Sequence, residues 1–251
     1  MNPFFFGETG QALYGVHHPP RGTTPRSAGI VLCYPFAQEY MRAHRAFRQL
    51  SLLLSGEGFH VLRFDYSGTG DSAGEPSDMS LDRWDADLRA AIDELIDTAA
   101  VESVWVVGLR LGGALALRAA GSPGVQGVVL WDPIIAGVEQ LDEAITLSDG
   151  HGATALEVGG IPIASAMRRQ LTELHLISGS AAPHTRALIA VSADEPRYRE
   201  LQQWLTSGDT DTSFVCVPSD GRWSYFDNWG SALIPQGLIR AIVDYLKGAV
   251  R

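Results

Sequence analysis

Short apolar runs alternate with longer stretches of helical periodicity along most of the chain. Apolar runs of about four to eight residues are typical of buried strands, whereas apolar residues three and four positions apart indicate helices. Strands are predicted at Phe4–Phe6, Ala12–Val16, Ala28–Cys33, Phe59–Phe64, Val104–Val107, Val125–Trp131, Leu188–Ser192 and Ser213–Val217. Helices are predicted at Gln38–Ser55, Leu81–Thr98, Ala114–Ala120, Gly137–Leu147, Ile163–Leu171, Arg197–Thr206 and Pro235–Lys247. This alternation predicts an α/β fold with a mostly parallel central sheet and helices on both faces.

The alternation lapses between residues 134 and 186, where two predicted helices flank a glycine-rich loop, Gly150–Gly160. A connection of this length between two sheet strands is typical of a lid over a binding crevice. We therefore expect residues 1–251 to form a single domain, with residues 134–186 as a helical lid inserted within it.

Composition restricts the partners of the protein. The net charge of −10 argues against nucleic acid and anionic membranes. The apolar runs are shorter than the roughly 18–20 residues that span a bilayer, and the first residues lack the pattern of a signal peptide. Cys33 and Cys216 lie in apolar runs and are expected to be buried free thiols in a cytoplasmic protein. Metal-ligand spacings are lacking, and we expect neither a metal nor a cofactor.

Polar residues follow four of the predicted strands. They are found in Tyr34–Glu39, in Asp65–Ser72, and at Arg110 and Asp132. Because the carboxyl ends of parallel strands meet at one edge of a sheet, these groups are expected to surround one crevice. Arg110 stands between Gly108 and Gly112, in a strand–turn–helix sequence.

The strand–turn–helix around Gly108–Gly113 and the loop Phe64–Ser72 resemble the α/β-hydrolase superfamily, which has G-x-S-x-G and D-x-x-G-x-G-x-S at these places. Further similarity lies in Leu130–Pro133 and in Pro35–Phe36 with Glu39. These resemble a subgroup labelled exosortase-associated or serine-aminopeptidase-like hydrolases. The resemblance covers nearly the whole chain and implies an α/β-hydrolase fold. The subgroup brings no established reaction with it.

The sequence departs from the catalytic triad of the resembled superfamily, which runs Ser, then Asp or Glu, then His. Arg110 stands at the serine position, and no histidine follows His184. An acid after the strand Leu188–Ser192 is available as Asp194 or Glu195. We therefore expect a degenerate triad and exclude a conventional serine hydrolase.

Arg110 cannot act as a nucleophile or a general base, because its guanidinium stays protonated and offers only donors. At a helix N-terminus a buried cation needs a compensating carboxylate, which either Glu39 or Asp132 could supply. One interpretation makes Arg110, Asp132 and Glu39 catalytic, with the arginine anchoring an anion and a carboxylate moving protons. The other interpretation is a structural ion pair that fills a dead site.

The expected substrate-binding residues are Tyr34, Phe36, Ala37, Leu111 and Trp223. In the resembled fold, backbone N–H groups near Phe36 or Ala37 and at Leu111 form an oxyanion hole, which loss of the serine leaves intact. Trp223 lies where the histidine is expected, in an aromatic segment that continues with Tyr225, Phe226 and Trp229. This segment favours an apolar ligand body.

Other polar residues fit structural roles better. Asp65 and Asp71 are expected to hold their glycine-rich loop by hydrogen bonds to the backbone, since the loop lacks the third glycine of a dinucleotide site. Cys33 is expected to be an inert core thiol. His44 shares a helix face with Arg42, Arg45 and Arg48, which is typical of a solvated surface, although it could reach the crevice.

Three functional hypotheses remain open. The first is an atypical hydrolase, lyase or cyclase acting on a small carbonyl- or acyl-containing substrate by arginine- and carboxylate-assisted, non-covalent chemistry. The second is a non-catalytic pseudo-hydrolase that binds an acyl or carboxylate ligand or a partner enzyme. The third is a true hydrolase whose nucleophile is Asp132, Cys33 or Ser67. We favour the first. The oligomeric state does not follow from the sequence.

Overall fold

The structure is a computed structural model that describes residues 1–21, 24–148, 157–158, 161–178, 185–224 and 233–250. The strands are β1 (Asn2–Phe6), β2 (Leu13–His18), β3 (Ala28–Cys33), β4 (Val61–Phe64), β5 (Ser103–Leu109), β6 (Val125–Trp131), β7 (Glu157–Val158), β8 (Ile161–Pro162), β9 (Arg186–Val191) and β10 (Asp211–Cys216). The α-helices are α1 (Gln38–Gly56), α2 (Leu81–Ala99), α3 (Leu111–Ala119), α4 (Gly137–Ser148), α5 (Ser165–Glu173), α6 (Pro196–Ser207) and α7 (Gln236–Ala249).

Eight strands form one twisted sheet in the order β1-β2-β4-β3-β5-β6-β9-β10. Pairing is antiparallel from β1 to β4 and parallel across the other strands, so the sheet is mostly parallel as predicted. Helices α2 and α3 contact each other, as do α1 and α7. These two pairs flank the sheet, which confirms the predicted α/β-hydrolase fold.

Local sequence explains where two helices begin. Ser80 caps α2, because its hydroxyl accepts a hydrogen bond from the backbone N–H of Arg83 at 3.2 Å. Helix α3 begins at Leu111, three residues before the predicted start, and so includes Gly112 and Gly113. Because glycine disfavours helices, the sequence pattern does not predict this first turn as helical. Here it is needed: a Cβ on Gly112 would lie 2.3 Å from the carbonyl oxygen of Cys33.

The predicted lid, residues 134–186, is described only in part. It contains α4 and α5, which contact each other, and the short antiparallel pair of β7 and β8. Strand β7 lies within the predicted glycine-rich loop, so the loop prediction is wrong at residues 157–158, while residues 150–156 and 159–160 lie outside the described residues. The assignment of this segment as a lid stays a prediction.

The two cysteines differ in burial. Cys33 is fully buried in the central strand β3, as expected, whereas Cys216 is only partly buried. The expectation that both thiols are buried is therefore wrong for Cys216, because β10 is an edge strand with a neighbour on one side only. Among the helices that the structure describes, none is long and apolar enough to cross a membrane.

Candidate functional site

Three non-glycine residues with positive φ lie at the carboxyl ends of neighbouring parallel strands. Ala37 follows β3 with φ 52°, Arg110 follows β5 with φ 54°, and Asp132 follows β6 with φ 40°. Such backbone conformations cost about 1–3 kcal/mol each and concentrate at functional sites. Ala37 and Arg110 also share their ψ, −121° and −117°, and each immediately precedes a helix.

The turn at Arg110 is held by close packing between backbone segments. A Cβ on Gly108 would lie 2.0 Å from the carbonyl oxygen of Gly112, so only glycine fits there. The backbone N–H of Arg110 donates to the carbonyl of Trp131 on the adjacent strand at 3.0 Å. The two glycines thus allow a sharp turn that presents Arg110 at the edge of the sheet.

The guanidinium of Arg110 is paired with the carboxylate of Glu39 at the start of α1. Arg110 Nε lies 2.9 Å from Glu39 Oε1, and the two residues are 5% and 1% exposed. This contact confirms that a carboxylate compensates Arg110 and identifies Glu39 as a direct partner. A hydrogen bond between charged groups that are shielded from water is strong. Removing either side chain would leave the other charge buried without this partner.

Asp132 makes a different set of contacts. Its Oδ1 accepts hydrogen bonds from the backbone N–H of Ser192 at 2.7 Å and from the Ser192 hydroxyl at 2.9 Å. Its Oδ2 accepts a hydrogen bond from the indole Nε1 of Trp223 at 3.0 Å. Burial raises the pKa of Asp132, while Trp223, Ser192 and the charge of Arg110 oppose the rise. The result is a buried carboxyl group with increased proton affinity.

The two acids proposed after the strand Leu188–Ser192 lie elsewhere. Asp194 pairs with Arg199, and Glu195 pairs with Arg197, all on the partly or fully exposed start of α6. Neither acid contacts Trp223 or Arg110 in the described structure. The carboxylate that faces the Trp223 position is Asp132, at the end of the preceding strand.

Three of the five expected substrate-binding residues line one cavity. This cavity has a volume of about 170 Å³ and a largely apolar wall, to which Tyr34, Phe36 and Ala37 contribute together with Met79 and Trp84. The other two residues do not line this cavity. Leu111 is fully buried as the first residue of α3, and the indole of Trp223 donates its hydrogen bond to Asp132. The structure thus brings together part of the expected set.

The glycine-rich loop after β4 is held as expected by Asp65. Its Oδ2 accepts from the backbone N–H of Asp71 at 3.1 Å, and its Oδ1 accepts from the hydroxyl of Tyr40 at 2.8 Å. Gly70 is required in this loop, because a Cβ there would lie 2.1 Å from Asp65 Oδ2. Asp65 therefore holds the loop, whereas the Asp71 carboxylate accepts no hydrogen bond from the described residues, so the expectation is met for Asp65 only.

Two of the alternative nucleophiles are poorly activated. Burial raises the pKa of the Cys33 thiol to about 12, so the thiolate is not formed near neutral pH. The Ser67 hydroxyl lies 2.9 Å from Asp87 and accepts from Arg83 Nε at 3.1 Å, and no histidine takes part in these bonds. These contacts tie the loop after β4 to α2.

Sequence reasoning missed two features near the site. Ser192 binds Asp132, and its place at the end of a predicted strand is the only sign of this role in the sequence. Arg42 was assigned to a solvated helix face, but it is 8% exposed, so that assignment is wrong. His44 is exposed, as a surface residue should be, and its ring stacks on Tyr34 with 6.2 Å between centroids. Tyr225, Phe226 and Trp229 lie outside the described residues.

Residues 32–245 match the model of the alpha/beta hydrolase family. The chain belongs to this family. The match includes the strand ends that carry Arg110 and Asp132 and the helix that carries Glu39.

Among curated relatives of this alpha/beta hydrolase, the mitochondrial palmitoyl-protein thioesterase ABHD10 of Homo sapiens is 35% identical over 95 residues. The same protein of Pongo abelii matches equally well. The aligned segment spans 38% of this chain and 29% of the relative, so the chain matches less than a third of the relative's length.

Solved structures share the fold at low sequence identity. The esterase Pf2001 of Pyrococcus furiosus aligns with a TM-score of 0.71 at 13% identity, over 100% of this chain and 91% of that chain. Est1E of Butyrivibrio proteoclasticus, bound to ferulic acid, aligns with a TM-score of 0.67 at 16% identity, over 98% and 96%. At these identities the similarity establishes the fold alone.

Proposed function

We propose that this alpha/beta hydrolase acts on a small acyl- or carbonyl-containing substrate without forming an acyl-enzyme. In this proposal Arg110 occupies the position of the serine nucleophile, and the triad is degenerate. The observation that carries the proposal is the set of three strained residues, Ala37, Arg110 and Asp132, around one edge of the sheet. Strain of this kind is maintained only where surrounding structure enforces it, and it is a feature of working sites.

Substrate placement follows from the cavity beside Phe36 and Ala37. Its apolar wall suits the body of an acyl group, and its volume of about 170 Å³ limits that body to a small one. The carbonyl oxygen would face the N–H groups of Ala37 and Leu111, which stand at helix starts where backbone donors lack intrahelical acceptors. Arg110 would add a fixed positive charge to this pair of donors.

Chemistry at such a site depends on stabilising negative charge on oxygen. In the hydrolytic form, a water oxygen bonds to the carbonyl carbon while a water proton passes to the Asp132 carboxylate. The same proton then reaches the departing oxygen or sulfur as its bond to carbon breaks. The raised pKa of Asp132 favours its use as proton acceptor. Elimination and ring closure pass through similar charged oxygens, so lyase and cyclase reactions remain within the proposal.

A conventional triad finds no support in the contacts of Asp132. The group that donates to its Oδ2 is the indole of Trp223, which is a donor only and cannot take a proton from a nucleophile. The guanidinium of Arg110 likewise cannot attack a carbonyl. The thioesterase activity in the name of the curated relative makes thioesters a reasonable member of the substrate class to test, although the matched segment is short.

A second candidate is a non-catalytic pseudo-hydrolase that binds an acyl or carboxylate ligand or a partner enzyme. The burial of the Arg110–Glu39 pair favours it, since ion pairs of this kind often serve structure alone. Both candidates use the same apolar cavity. They differ in whether a bound acyl compound is turned over.

The test measures hydrolysis of S-butyryl-N-acetylcysteamine and p-nitrophenyl butyrate, and binding of butyramide as a non-hydrolysed analogue. We expect turnover above the buffer rate, with no acyl adduct in the intact-protein mass spectrum and no labelling by a fluorophosphonate probe. Arg110→Met should lower kcat by at least about tenfold, since loss of one oxyanion donor typically costs 10²–10³ in rate. The matched control is Arg118→Met, on the exposed side of α3, where the arginine pairs with Asp85.

An acyl adduct or stoichiometric probe labelling would contradict the proposal and restore a covalent hydrolase. Butyramide binding without turnover of either substrate would favour the pseudo-hydrolase. Restoring triad residues gives a further test: Arg110→Ser alone should gain no esterase activity, because Asp132 faces Trp223 and no histidine links this carboxylate to the new serine. Combining it with Trp223→His places an imidazole next to Asp132, which accepts from the Trp223 indole in the wild-type protein, and only this double variant should label with the probe.

A further inference from the structure

Arg63 is a buried cation whose direct partners are neutral. It lies on β4 and is 5% exposed. Its Nε donates to His18 Nε2 at 3.2 Å, and its Nη1 donates to the hydroxyl of Tyr34 at 2.8 Å. Among the residues that the structure describes, no carboxylate forms an ion pair with it. A buried guanidinium of this kind is costly unless an anion balances it.

Burial keeps both of these partners neutral near neutral pH. Burial and the charge of Arg63 lower the pKa of His18 to about 4, so its ring is uncharged near neutral pH. Burial raises the pKa of Tyr34 to about 12, so its phenol stays protonated. Neither side chain can therefore supply negative charge to Arg63.

Arg63 forms part of the wall of a cavity between α1 and the β1–β2 hairpin. The cavity has a volume of about 300 Å³, and its wall includes Tyr34, Tyr40, His44, Arg48, Arg63 and Asp65. Tyr40, His44 and Arg48 are spaced four residues apart on α1 and so lie on one face of that helix. Arg48 is exposed and brings a second positive charge to the mouth.

Two carboxylates also belong to this wall, and neither compensates Arg63. Asp65 already accepts hydrogen bonds from the Tyr40 hydroxyl and the backbone N–H of Asp71, and it forms no ion pair with Arg63. Asp71 lies at the exposed rim. The cavity wall therefore combines the hydroxyl of Tyr34 with a cation that has no ion-pair partner among the described residues, while Asp65 accepts hydrogen bonds from its own donors.

We propose that this cavity is a binding site for a small organic anion, held by the guanidinium of Arg63 at its base and by Arg48 at its mouth. The ligand carries a carboxylate or a phosphate, the two groups that match the planar donor pattern of arginine. The aromatic rings of Tyr34 and Tyr40 contact its organic part. This cavity shares Tyr34 and Tyr40 with the cavity of about 170 Å³, but neither Arg110 nor Glu39 lines it, and the proposal does not depend on the function proposed for that pair.

The test uses isothermal titration calorimetry at fixed ionic strength with benzoate, phenyl phosphate, inorganic phosphate and the neutral benzyl alcohol. We expect benzoate or phenyl phosphate to bind at least tenfold more tightly than benzyl alcohol. Which of the two binds better tells a carboxylate site from a phosphate site. Arg63→Met should weaken the better anion at least tenfold, and Arg48→Met by about threefold. Arg45→Met, a neighbouring exposed arginine of α1 outside the cavity wall, is the matched control and should change nothing.

Equal affinity for the anions and for benzyl alcohol would overturn the proposal, as would undiminished anion binding by Arg63→Met. If Arg63→Met does not fold, Arg63→Lys and Arg48→Met decide the question. Lysine keeps the charge but not the planar donor pattern, so we expect weakened yet measurable binding. Unchanged affinity in both of these variants would also overturn the site.

Discussion

Two buried arginines of this protein differ in the charge of the side chains they contact. Arg110, after β5, lies 2.9 Å from the carboxylate of Glu39, whereas Arg63, on β4, is bonded to the neutral side chains of His18 and Tyr34. Both are about 5% exposed. The comparison teaches that burial of an arginine does not by itself indicate an ion pair, and that each cation has to be judged by what lies next to it.

The contrast also separates two kinds of function. A guanidinium already paired to a carboxylate can polarise a substrate only as part of that pair, and its removal disturbs the pair as a whole. A guanidinium among neutral groups keeps its full attraction for an incoming anion. The first arrangement suits a fixed element of a reaction site, and the second suits ligand capture.

The largest expected effect is a loss of stability when Arg110 is replaced. Arg110→Met removes the guanidinium from a carboxylate that is 1% exposed, and we expect the free energy of unfolding to fall by about 3 kcal/mol. Arg63→Met removes a cation with no carboxylate partner in the described structure, so we expect a change below about 1 kcal/mol without added anion. Urea denaturation measures both.

The double variant Arg110→Met with Glu39→Gln gives the control. A neutral amide needs no cation, so it should recover part of the loss and show coupling between the two positions. Equal losses for Arg110→Met and Arg63→Met, with no recovery in the double variant, would show that the ion pair at Arg110 has no special role.

A smaller effect concerns the carboxyl group on the other side of the site. Asp132→Asn should lower the free energy of unfolding at pH 7 by about 2 kcal/mol, because the amide cannot accept from both Ser192 and the Trp223 indole. Burial raises the pKa of Asp132 above its usual value of 3.8. The folded protein therefore binds this proton more tightly than the unfolded chain does.

The sign of the pH dependence follows. The contribution of Asp132 to stability is fully present below about pH 3.8 and is lost as pH rises through the raised pKa. Wild type should thus gain stability relative to Asp132→Asn as pH falls from 7 towards 4, in urea titrations at several pH values. A relative gain with rising pH would mean that Trp223 and Ser192 hold the pKa below its usual range.

Sequence patterns predicted much of this fold because its central strands are apolar on both faces and its helices are amphipathic. The turn around Arg110 is predictable because Gly108 and Gly112 pack against backbone with no room for a side chain. Glycine is therefore required at both positions, and this requirement can be read in the sequence. The start of α3 was hidden for the same reason, since those glycines suppress the helical signal.

The candidate site was predictable only in part. Strand ends placed Glu39, Arg110 and Asp132 at one edge, but the partner of each depends on side-chain directions that sequence spacing does not encode. Asp132 binds Trp223, 91 residues away, and no motif points to Arg63, a lone arginine in an apolar strand. Long-range contacts of this kind need the three-dimensional structure.

The smallest expected effect is a change in the pKa of His18, which reports on the charge of Arg63. Burial is the largest cause of the low pKa of His18, about 4, and the charge of Arg63 is the next. Arg63→Met removes the second cause only, so the pKa of His18 should rise yet stay below 6.5. Nitrogen-detected NMR titration measures it, and should find Nε2 unprotonated in wild type, where it accepts from Arg63.

Anion binding offers an independent check on the same reporter. A carboxylate or phosphate beside Arg63 would offset the charge that His18 senses, so saturating benzoate or phenyl phosphate should also raise the pKa of His18 in wild type. The same ligand should leave it unchanged in Arg63→Met. Arg45→Met should behave as wild type throughout. If Arg63→Met left the pKa at about 4, the charge of Arg63 would have no part in lowering it, and the electrostatic difference between the two arginines would be much smaller than their surroundings suggest.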